Sequence, residues 1–517
     1  MVKNHRSFFY FFILAIFLIT LGLSSCNSAA PAEKAGVAET ETTEQELGSV
    51  RGKVLTDSGE MVTAGIIVED QDGNTFRTTT NAQSGYNLLL PPGSYTLYFT
   101  RGFEYSVVTK KITVESFKKY YLQDVRLIQL FDSYAQGWIA SDLHQHTYYS
   151  DGADSVASQL LGNISNGLYI GFLTDHNTAY GLAEWVQGNR LVANIDKAGV
   201  QRFYHAFEGV EETTEFGHFQ SLGVGQTFDT YEIKMTEYQR AQSQAEKDVV
   251  LKDMIGYIAD TIQRSGGVVQ INHPYSSSTM GFNYWDIADK FDTVEIWNGY
   301  FVPGDGRYIG DTLGYADQNY SAKLKWFDLL NNIRNGGKFL AATGGTDNHD
   351  STSPYKRDPK LVSYNINNIK DFKITNMVDY QAAFEMNGRY NGNPTTYLHI
   401  PGDITLDSVQ NAIRNGNSFI SNGPILIADV NGKSYGETVE LNGAGSVSLN
   451  LKAFARDGFE SIRIVKNGEV IKTIDAITGS NYEAVVKLDD LKRGDWIVLE
   501  AMGVSTYYCI TNPIFFE

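Results

Sequence analysis

The pattern of apolar and polar positions changes along the chain, and each change predicts a different kind of structure. Between residues 49 and 130, short runs of alternating polarity are separated by turn pairs such as Ser58-Gly59 and Pro92-Gly93. Alternation with a period of two is typical of strands that bury one face, and turns at this spacing are typical of a small β-sandwich. Because this stretch contains no cluster of catalytic residue types, we interpret it as a spacer or docking module.

A different rhythm extends from about residue 136 to residue 400, where apolar runs alternate with amphipathic stretches. The seven apolar runs that predict strands are 138–143, Tyr169–Leu173, Phe203–Phe207, Phe219–Val224, Val268–Ile271, Thr293–Trp297 and Phe339–Thr343. Helix-like stretches lie between several of them, at Asp154–Asn166, Asp248–Arg264 and Ser321–Asn335. In the second stretch, Val250, Met254, Ile258 and Ile262 recur every four residues and predict one apolar face. Alternating strands and helices predict a (β/α) barrel, in which reactive side chains collect at the carboxyl ends of the strands.

The last part of the chain returns to β patterning. Residues 401–424 predict a turn, an amphipathic helix that contains Val409 and Ile413, and a strand. Residues 425–517 then contain strand-like runs such as IRIVKNGEVI and GDWIVLEAMG. We therefore predict a linking helix and a C-terminal β-domain over residues 401–517.

The N-terminus predicts a targeting segment. Lys3 and Arg6 precede an apolar run from Phe8 to Leu23, followed by Ser-Ser-Cys26, and this is typical of a secretory signal over residues 1–25. A membrane span is the alternative, although the run is short for one. The ending LSSC resembles the bacterial lipobox, which implies a lipid anchor at Cys26 and a place in the cell envelope. Residues 26–48, rich in Ala, Glu and Thr, predict a disordered tether.

The charge of the chain limits the classes of partner, and its cysteine content limits the disulfides that it can form. The chain of 517 residues has 42 basic and 60 acidic residues, a net charge of −18. This balance argues against nucleic acid or an anionic membrane surface as the main partner, because both require basic patches. The second cysteine, Cys509, lies in an apolar strand-like run and is expected to be buried, so no disulfide framework is predicted.

Histidines and carboxylates concentrate where the predicted strands end. The stretch SDLHQHTYYSDG places His144 and His146 two residues apart after an apolar run, with Asp151 following. Residues at i and i+2 on an extended chain point the same way, so both imidazoles can face one point. Imidazole nitrogen and carboxylate oxygen together suit Zn, Mn or Fe.

The same residue types follow the other predicted strands. Those at strand ends or starts are Asp175, His176, Glu208, Glu211, Glu212, His218, His273, Asp347 and His349. A single histidine in such a place is usually a core or surface residue. Six of the chain's nine histidines at one predicted barrel face make that interpretation weak, and they predict a metal site.

The motifs HQHTYYSDG, TDH, GVE, GHF, NHP and GTDNH, in this order, resemble the polymerase and histidinol phosphatase (PHP) superfamily of metallohydrolases. The resemblance implies a distorted (β/α)7 barrel that holds two or three divalent metal ions, of which the third is less secure because many members have histidine where Asp151 stands. The implied ligands are His144, His146, Glu211 and Asp347 for the first ion, Glu211, His218 and His273 for the second, and Asp151, His176 and His349 for the third. The first four are the implied catalytic residues.

The resemblance also assigns roles to neighbouring residues and domains. Glu208 and Glu212 are expected not to coordinate, and Asp175 is expected to orient an imidazole. Residues 49–130 resemble the carboxypeptidase regulatory-like domain. The order of barrel and C-terminal β-domain resembles the carbaryl-hydrolase-type branch of the superfamily. Neither resemblance identifies a substrate.

The predicted chemistry is hydrolysis by a metal-bound hydroxide, since metal ions lower the pKa of bound water and no serine or cysteine nucleophile is needed. A phosphoester is favoured because three ions can each bind a phosphate oxygen. Carboxylic or carbamic ester hydrolysis is the alternative, and a non-catalytic, metal-stabilised envelope binding protein is an alternative of another class. Arg307, Lys356 and Arg357 either hold an anionic leaving group or are solvated surface charges.

Overall fold

A computed structural model describes residues 47–517, except for residues 74, 215–216, 229–235, 277–279, 300–302, 304–314, 350–353, 356–390, 442, 444 and 505–506. The described residues belong to one compact unit, Gln45–Glu517. The predicted signal, the lipid-anchor position Cys26 and nearly all of the tether lie outside the described residues, as do Arg307, Lys356 and Arg357.

The described part of the chain is multidomain and mostly β, with few helices. In the N-terminal region the strands are β1 (Gly48–Gly52), β2 (Val54–Thr56), β3 (Gly65–Asp70), β4 (Thr75–Thr79), β5 (Tyr86–Leu90), β6 (Gly93–Thr100), β7 (Val108–Val114), β8 (Lys119–Tyr121) and β9 (Val125–Leu127). In the central region they are β10 (Trp138–Asp142), β11 (Ile170–Leu173), β12 (Val192–Ile195), β13 (Gln201–Phe203), β14 (His205–Thr214), β15 (Gly217–Leu222), β16 (Val268–Ile271), β17 (Thr293–Asn298), β18 (Ala341–Gly345) and β19 (Pro354–Tyr355).

The C-terminal strands are β20 (Thr395–His399), β21 (Ser418–Ser421), β22 (Ile425–Val430), β23 (Thr438–Val439), β24 (Val447–Phe454), β25 (Phe459–Lys466), β26 (Glu469–Ile474), β27 (Asn481–Leu488), β28 (Trp496–Gly503), β29 (Tyr508–Thr511) and β30 (Ile514–Phe516). The helices are α1 (Val156–Ser165), α2 (Leu182–Trp185), α3 (Gln244–Arg264), α4 (Tyr315–Asn332) and α5 (Leu406–Arg414). Short 3-10 helices cover Tyr134–Gln136, Val186–Arg190, Trp285–Lys290 and Ile333–Asn335. Within the described residues, no helix combines the length and the apolar character that crossing a membrane requires.

The N-terminal strands enclose a hydrophobic core of their own, which includes Val50, Ile66, Leu88, Leu97 and Phe99. They form a sheet of order β5-β1-β8, a pair β2-β9 and a sheet of order β4-β3-β6-β7, to which β19 from the central region adds at the β4 edge. Strand β5 alternates buried and exposed positions along its length, as the sequence pattern predicts for a strand with one face in a core.

The central region contains strands at all seven predicted places, most with ends within two residues of the predicted ones, whereas β14 continues seven residues beyond the predicted end at Phe207. They form one continuous path of order β18-β17-β16-β15-β14-β11-β10, which continues through β20 and β21 into the C-terminal strands. Strand β15 is antiparallel to both neighbours, whereas the pairs β10-β11, β11-β14, β16-β17 and β17-β18 are parallel. The sheet is therefore mixed rather than uniformly parallel. The predicted domain boundaries remain predictions.

Helix α3 shows how local sequence fixes one of the elements that cover this sheet. The side chain of Ser243 caps its first turn by accepting a hydrogen bond from the amide of Glu246. Its buried stripe includes Leu251, Met254 and Ile258, and the chain turns away at Gly266, where φ is +89°. The predicted stripe began at Val250, which is only half-buried, and Leu251 takes its place in the core.

A buried carboxyl group connects the N-terminal strands to the start of the central sheet. Glu104 accepts hydrogen bonds from the amide of Ser133 at 2.8 Å and from its hydroxyl at 2.7 Å. Burial raises the pKa of Glu104 to about 7, against the opposing effect of these hydrogen bonds. The folded chain therefore holds a proton here that the unfolded chain releases near pH 4.5.

We expect this proton to make stability depend on pH. The stabilising contribution of protonated Glu104 is complete below about pH 4.5 and is lost as the pH rises through about 7, a loss of about 3 kcal/mol in the free energy of unfolding. In Glu104→Gln, this part of the pH dependence should be absent. Urea unfolding at several pH values measures it, with the exposed Glu115→Gln as the control. Parallel profiles for wild type and Glu104→Gln would contradict the assignment.

Candidate metal centre

Backbone hydrogen bonds join the two chain segments that frame the centre. The amide of Asp347 donates to the carbonyl oxygen of His144 at 2.8 Å, and the amide of His146 donates to that of Asn348 at 2.8 Å. The carboxylate of Asp142, at the end of β10, accepts hydrogen bonds from the amide of His144 at 3.3 Å and from the hydroxyl of Thr346 at 2.6 Å. The segments that follow β10 and β18 are therefore fixed against each other, with their imidazoles and carboxylates on one side.

Glu211 lies at the middle of the centre and is fully buried. Its Oε2 lies 3.1 Å from Nε2 of His144, 3.2 Å from Nε2 of His146 and 3.0 Å from Nδ1 of His176. Its Oε1 lies 3.1 Å from Nδ1 of His218 and 3.2 Å from Nε2 of His273. One carboxylate thus contacts five imidazoles, which come from four separate segments of the chain.

A second carboxylate, Asp151, lies at the outer side of the centre. Its Oδ1 is 3.1 Å from Nε2 of His349 and 3.5 Å from Nε2 of His176. The ring of His146 contacts both, stacking on His176 at a centroid distance of 4.3 Å and lying tilted against His349 at 4.4 Å. Because Asp151 is 58% exposed whereas Glu211 is 0% exposed, the outer cluster faces solvent and the inner one does not.

The carboxylates of the centre are arranged so that positive charge stabilises them. Burial alone would raise the pKa of Glu211, yet His144 and His176 hold it well below its usual range. Burial lowers the pKa of His176, but the charges of Glu211 and Asp151 raise it to about 9. Buried carboxylates this close together need compensating positive charge. Protonated imidazoles or bound metal ions can supply that charge.

Four groups of side chains have the geometry of metal ligands, with one ligand atom from each residue lying within 4.8 Å of the others. The groups are His146–Asp151–His176–His349, His144–His146–Glu211, His144–His273–Asp347 and His176–Glu211–His218. All nine residues proposed from the sequence belong to at least one group. Three of the four groups cross the implied division among three ions, so the assignment of each ligand to an ion remains a prediction.

The side chain of His146 tests whether a metal fits. Both of its ring nitrogens are buried without a hydrogen-bond partner. Its Nε2 nevertheless lies 3.1 Å from Oδ1 of Asp347 and 3.2 Å from Oε2 of Glu211. Polar atoms this close that form no hydrogen bond are expected where ligands surround a shared cation. Neutral nitrogen and anionic oxygen donors suit a divalent transition metal, so the residues present are compatible with divalent metal ions.

Three of the neighbouring acidic residues contribute differently. Asp175 was expected to orient an imidazole, but its carboxylate accepts hydrogen bonds from the amide and hydroxyl of Thr147 and from the hydroxyl of Ser150, all at 2.7 Å. It therefore fixes the turn that carries Asp151. Among the described residues, neither Glu208 nor Glu212 belongs to a ligand group. Glu212 is buried, and burial raises its pKa to about 8.

The sequence interpretation missed Glu295, which orients two of the histidines. This residue is 1% exposed in β17. Its Oε1 lies 3.1 Å from Nδ1 of His144, and its Oε2 accepts hydrogen bonds from the amide of His273 at 2.9 Å and from the side chain of Asn298 at 3.1 Å. A carboxylate on Nδ1 directs Nε2 of the same ring towards the centre. The available signal was a charged residue inside the otherwise apolar run TVEIW.

We expect Glu295→Gln to weaken metal binding roughly 10- to 100-fold, the usual cost of losing a residue that orients a ligand. Glutamine has one acceptor oxygen and one donor nitrogen, so it can face either His144 or the donors of His273 and Asn298 with an acceptor, but not both. Titration of the metal-free protein with Zn²⁺ or Mn²⁺ measures the effect. Glu500→Gln is the matched control, because Glu500 is also buried on a strand but contacts Lys323 at 3.0 Å. Equal metal affinity in wild type and Glu295→Gln would contradict this role.

The solved structures that resemble this chain do so at low sequence identity. No known family profile matches the chain, and no curated protein matches it. Among solved structures, a two-domain protein from Bacteroides vulgatus containing a predicted PHP-like metal-dependent phosphoesterase is 12% identical, with a TM-score of 0.34, covering 72% of this chain and 96% of its own. An amidohydrolase from Chromobacterium violaceum is 18% identical, with a TM-score of 0.26, covering 42% of this chain and 91% of its own. At TM-scores this low, we draw no conclusion about activity from either likeness.

Proposed function

We propose that this protein is a metal-dependent hydrolase of the PHP type that acts on phosphate esters. The observation that carries the proposal is the convergence of six histidines, Glu211, Asp347 and Asp151 on one centre, with His146 buried between carboxylates and without a hydrogen-bond partner. The backbone hydrogen bonds between the segments 144–146 and 347–348 support a barrel that closes at this point. The sequence order of barrel and C-terminal strands supports the carbaryl-hydrolase-type branch, and the N-terminal strands support a regulatory-like module.

The chain's own residues would hold and position the reacting groups. A bound divalent metal supplies Lewis acidity, which activates water and neutralises charge that develops on the substrate. Glu211 and Asp347 would neutralise the charge of bound ions, and Glu295 would hold the ring of His144, whose Nδ1 it contacts at 3.1 Å. Asp151 and His349, at the exposed side, are placed where a substrate enters. The nine-residue set contains no serine, cysteine or threonine nucleophile, so we propose direct attack by water on phosphorus.

The reaction class can be tested by isotope labelling in a single turnover. Purified protein loaded with Zn²⁺ or Mn²⁺ is incubated in oxygen-18 water with a panel of phosphate mono- and diesters. We expect phosphate that carries one solvent oxygen. An enzyme oxygen appearing first on phosphorus would refute direct attack while leaving the metal centre intact.

The same panel, extended to aryl carbamates and carboxylic esters, tests the substrate class. Cleavage of these esters with no phosphate released from any phosphoester would favour the ester-hydrolase alternative. Bound metal without turnover of either class would favour the metal-stabilised binding protein. Elemental analysis of each preparation separates failure of metal loading from failure of catalysis.

We also propose that the protein is attached to the cell envelope through Cys26, because of the basic start, apolar run and LSSC ending of the N-terminus. Replacing Cys26 with serine should release the mature protein from the membrane fraction, since a lipid chain is the only proposed anchor. Fractionation followed by a high-salt wash measures this, with Cys509→Ser as the control at a buried cysteine. A Cys26→Ser protein that stays with the membranes after the wash would contradict lipid anchoring.

A further inference from the structure

One surface of the N-terminal region differs in character from the acidic chain as a whole. Between Val108 and Tyr121 the sequence has four lysines and a single acidic residue, Glu115, whereas the whole chain has a net charge of −18. This segment forms β7, β8 and the turn between them. Large apolar and aromatic side chains are exposed here beside the lysines.

The outer side of the sheet β5-β1-β8 brings these side chains together. Leu89 and Lys119 lie opposite Ser49 in one row, and Asn87 and Tyr121 lie opposite Arg51 in the next. Paired residues project to the same face of a sheet, and the core lies on the other face. We call this the basic-aromatic face and define it as Arg51, Leu89, Phe117, Lys118, Lys119 and Tyr121.

Phe117 is the most unusual member of the face. It lies in the turn before β8, is 72% exposed and has a φ of +58°. A left-handed backbone is unfavourable for a bulky side chain, and this one gains little burial in return. Tyr121 is also 72% exposed and Leu89 is 58% exposed. An aromatic side chain held outward beside lysines is typical of a surface that enters the headgroup region of a membrane.

The position of the face relative to the preceding chain favours the same occupant. The amide of Phe117 donates to the carbonyl oxygen of Leu47 at 3.2 Å, and the amide of Ser49 donates to that of Lys118 at 2.8 Å. The described chain thus begins beside this turn. Cys26 lies 21 residues before Leu47, and a segment of that length spans at most about 75 Å. An anchored protein would keep the face within that distance of the bilayer.

We propose that the basic-aromatic face rests on a bilayer that contains anionic phospholipid, with Phe117 and Tyr121 in the headgroup region and the lysines on phosphate groups. The lysines complement the negative surface potential, and the acidic charges elsewhere are screened beyond about 8 Å at physiological ionic strength. The lipid at Cys26 is the main attachment, and the proposed orientation of the face towards the bilayer rests on that anchor. As a consequence, the N-terminal region keeps one orientation relative to the membrane and does not rotate freely on its tether.

Photo-crosslinking of the full chain tests the contact. The full-length variant Phe117→benzoylphenylalanine is purified, reconstituted into vesicles of phosphatidylethanolamine and phosphatidylglycerol, and irradiated. We expect a lipid adduct at least about tenfold more abundant than with the same substitution at Val485, which is 70% exposed in the C-terminal region. Lys118→Glu with Lys119→Glu should reduce the adduct on the order of tenfold. Lys472→Glu with Lys487→Glu, two exposed lysines on β26 and β27, should not change it.

Three outcomes would overturn the proposal. They are an adduct at position 117 no more abundant than at position 485, an equal adduct on vesicles of phosphatidylcholine alone, and crosslinking to a second copy of the chain in place of lipid. Flotation of the protein with the vesicles after high salt is scored separately. Flotation reports the Cys26 anchor, and the adduct reports the face, so the failure of one is distinguishable from the failure of the other.

Discussion

Replacing Glu211 with glutamine should nearly abolish hydrolysis and lower the bound metal, while the protein remains folded. The two carboxylate oxygens of Glu211 lie within 3.2 Å of five imidazole nitrogens, so no other side chain of the centre touches as many ligands. Loss of a residue that merely orients a ligand costs about 10- to 100-fold in metal affinity or activity, and loss of the shared carboxylate should cost more. Elemental analysis and turnover of the purified variant measure both effects.

The neighbouring residue provides a matched control. Glu212 is buried like Glu211, and because burial raises its pKa to about 8 it is largely protonated at neutral pH. Glu212→Gln therefore replaces one neutral group by another of the same shape and should leave metal content and turnover close to those of wild type. If instead Glu211→Gln lost stability but kept its metal, the histidines would be structural and the proposed function would be wrong.

Other ligands should give graded effects. His144→Ala removes an inner ligand that also contacts Glu295, and we expect it to resemble Glu211→Gln. Asp151 lies at the exposed side and contacts only the outer histidines. Its replacement by alanine should remove at most one metal ion and leave the inner ions in place.

The second large effect is expected from Gly345→Ala, a change of one methyl group. A Cβ at this position would overlap the Cβ of His144 and would lie 2.7 Å from Oε1 of Glu295. Both neighbours are buried, and the amide of His144 lies 3.2 Å away, so the strand has no free space to accept the group. Overpacking of this kind costs about 1–3 kcal/mol in the free energy of unfolding. It should also displace His144 and lower metal affinity and turnover at least about tenfold.

Gly256→Ala is the control for this substitution. Gly256 lies in α3, and a Cβ added there would meet no atom within 4 Å outside its own helix. Alanine is favoured over glycine in a helix by about 1 kcal/mol, so this variant should be as stable as wild type or more so, with unchanged turnover. Thermal unfolding and metal titration of the two variants give the comparison. A Gly345→Ala protein with normal metal affinity would show that β18 can move away from His144.

The clustering of the nine candidate residues could be predicted from the sequence because local pattern carries it. His144 and His146 follow an apolar run at a spacing of two, and the other candidates also lie at strand ends, so their convergence needs only the strands to be adjacent. The apolar stripe of α3 was predicted correctly at Met254, Ile258 and Ile262 and wrongly only at its first position, since Val250 and Leu251 are both apolar and the period alone does not choose between them.

The pairing of distant segments could not be predicted in the same way. Strand β15 is antiparallel to both of its neighbours, and β20 lies beside β10. Both arrangements depend on contacts between residues far apart in the sequence. Glu295 was overlooked because a carboxylate inside a buried strand has meaning only once its partner, His144, is known. The expected role of Asp175 was wrong for a related reason, because the hydroxyl groups of Thr147 and Ser150 compete for its oxygens.

The hydrogen bonds between the segments 144–146 and 347–348 also determine when the centre can form. Asp142 and Thr346, which clamp these segments, are 204 residues apart in the sequence, and the entropy of closing so long a loop must be overcome before any of the contacts is gained. Assembly of the centre therefore depends on contacts of high sequence separation, which are intrinsically slow to form. A nascent chain that ends before Asp347 lacks one carboxylate of the cluster, so the complete cluster can form only after residues 347–349 have been synthesised.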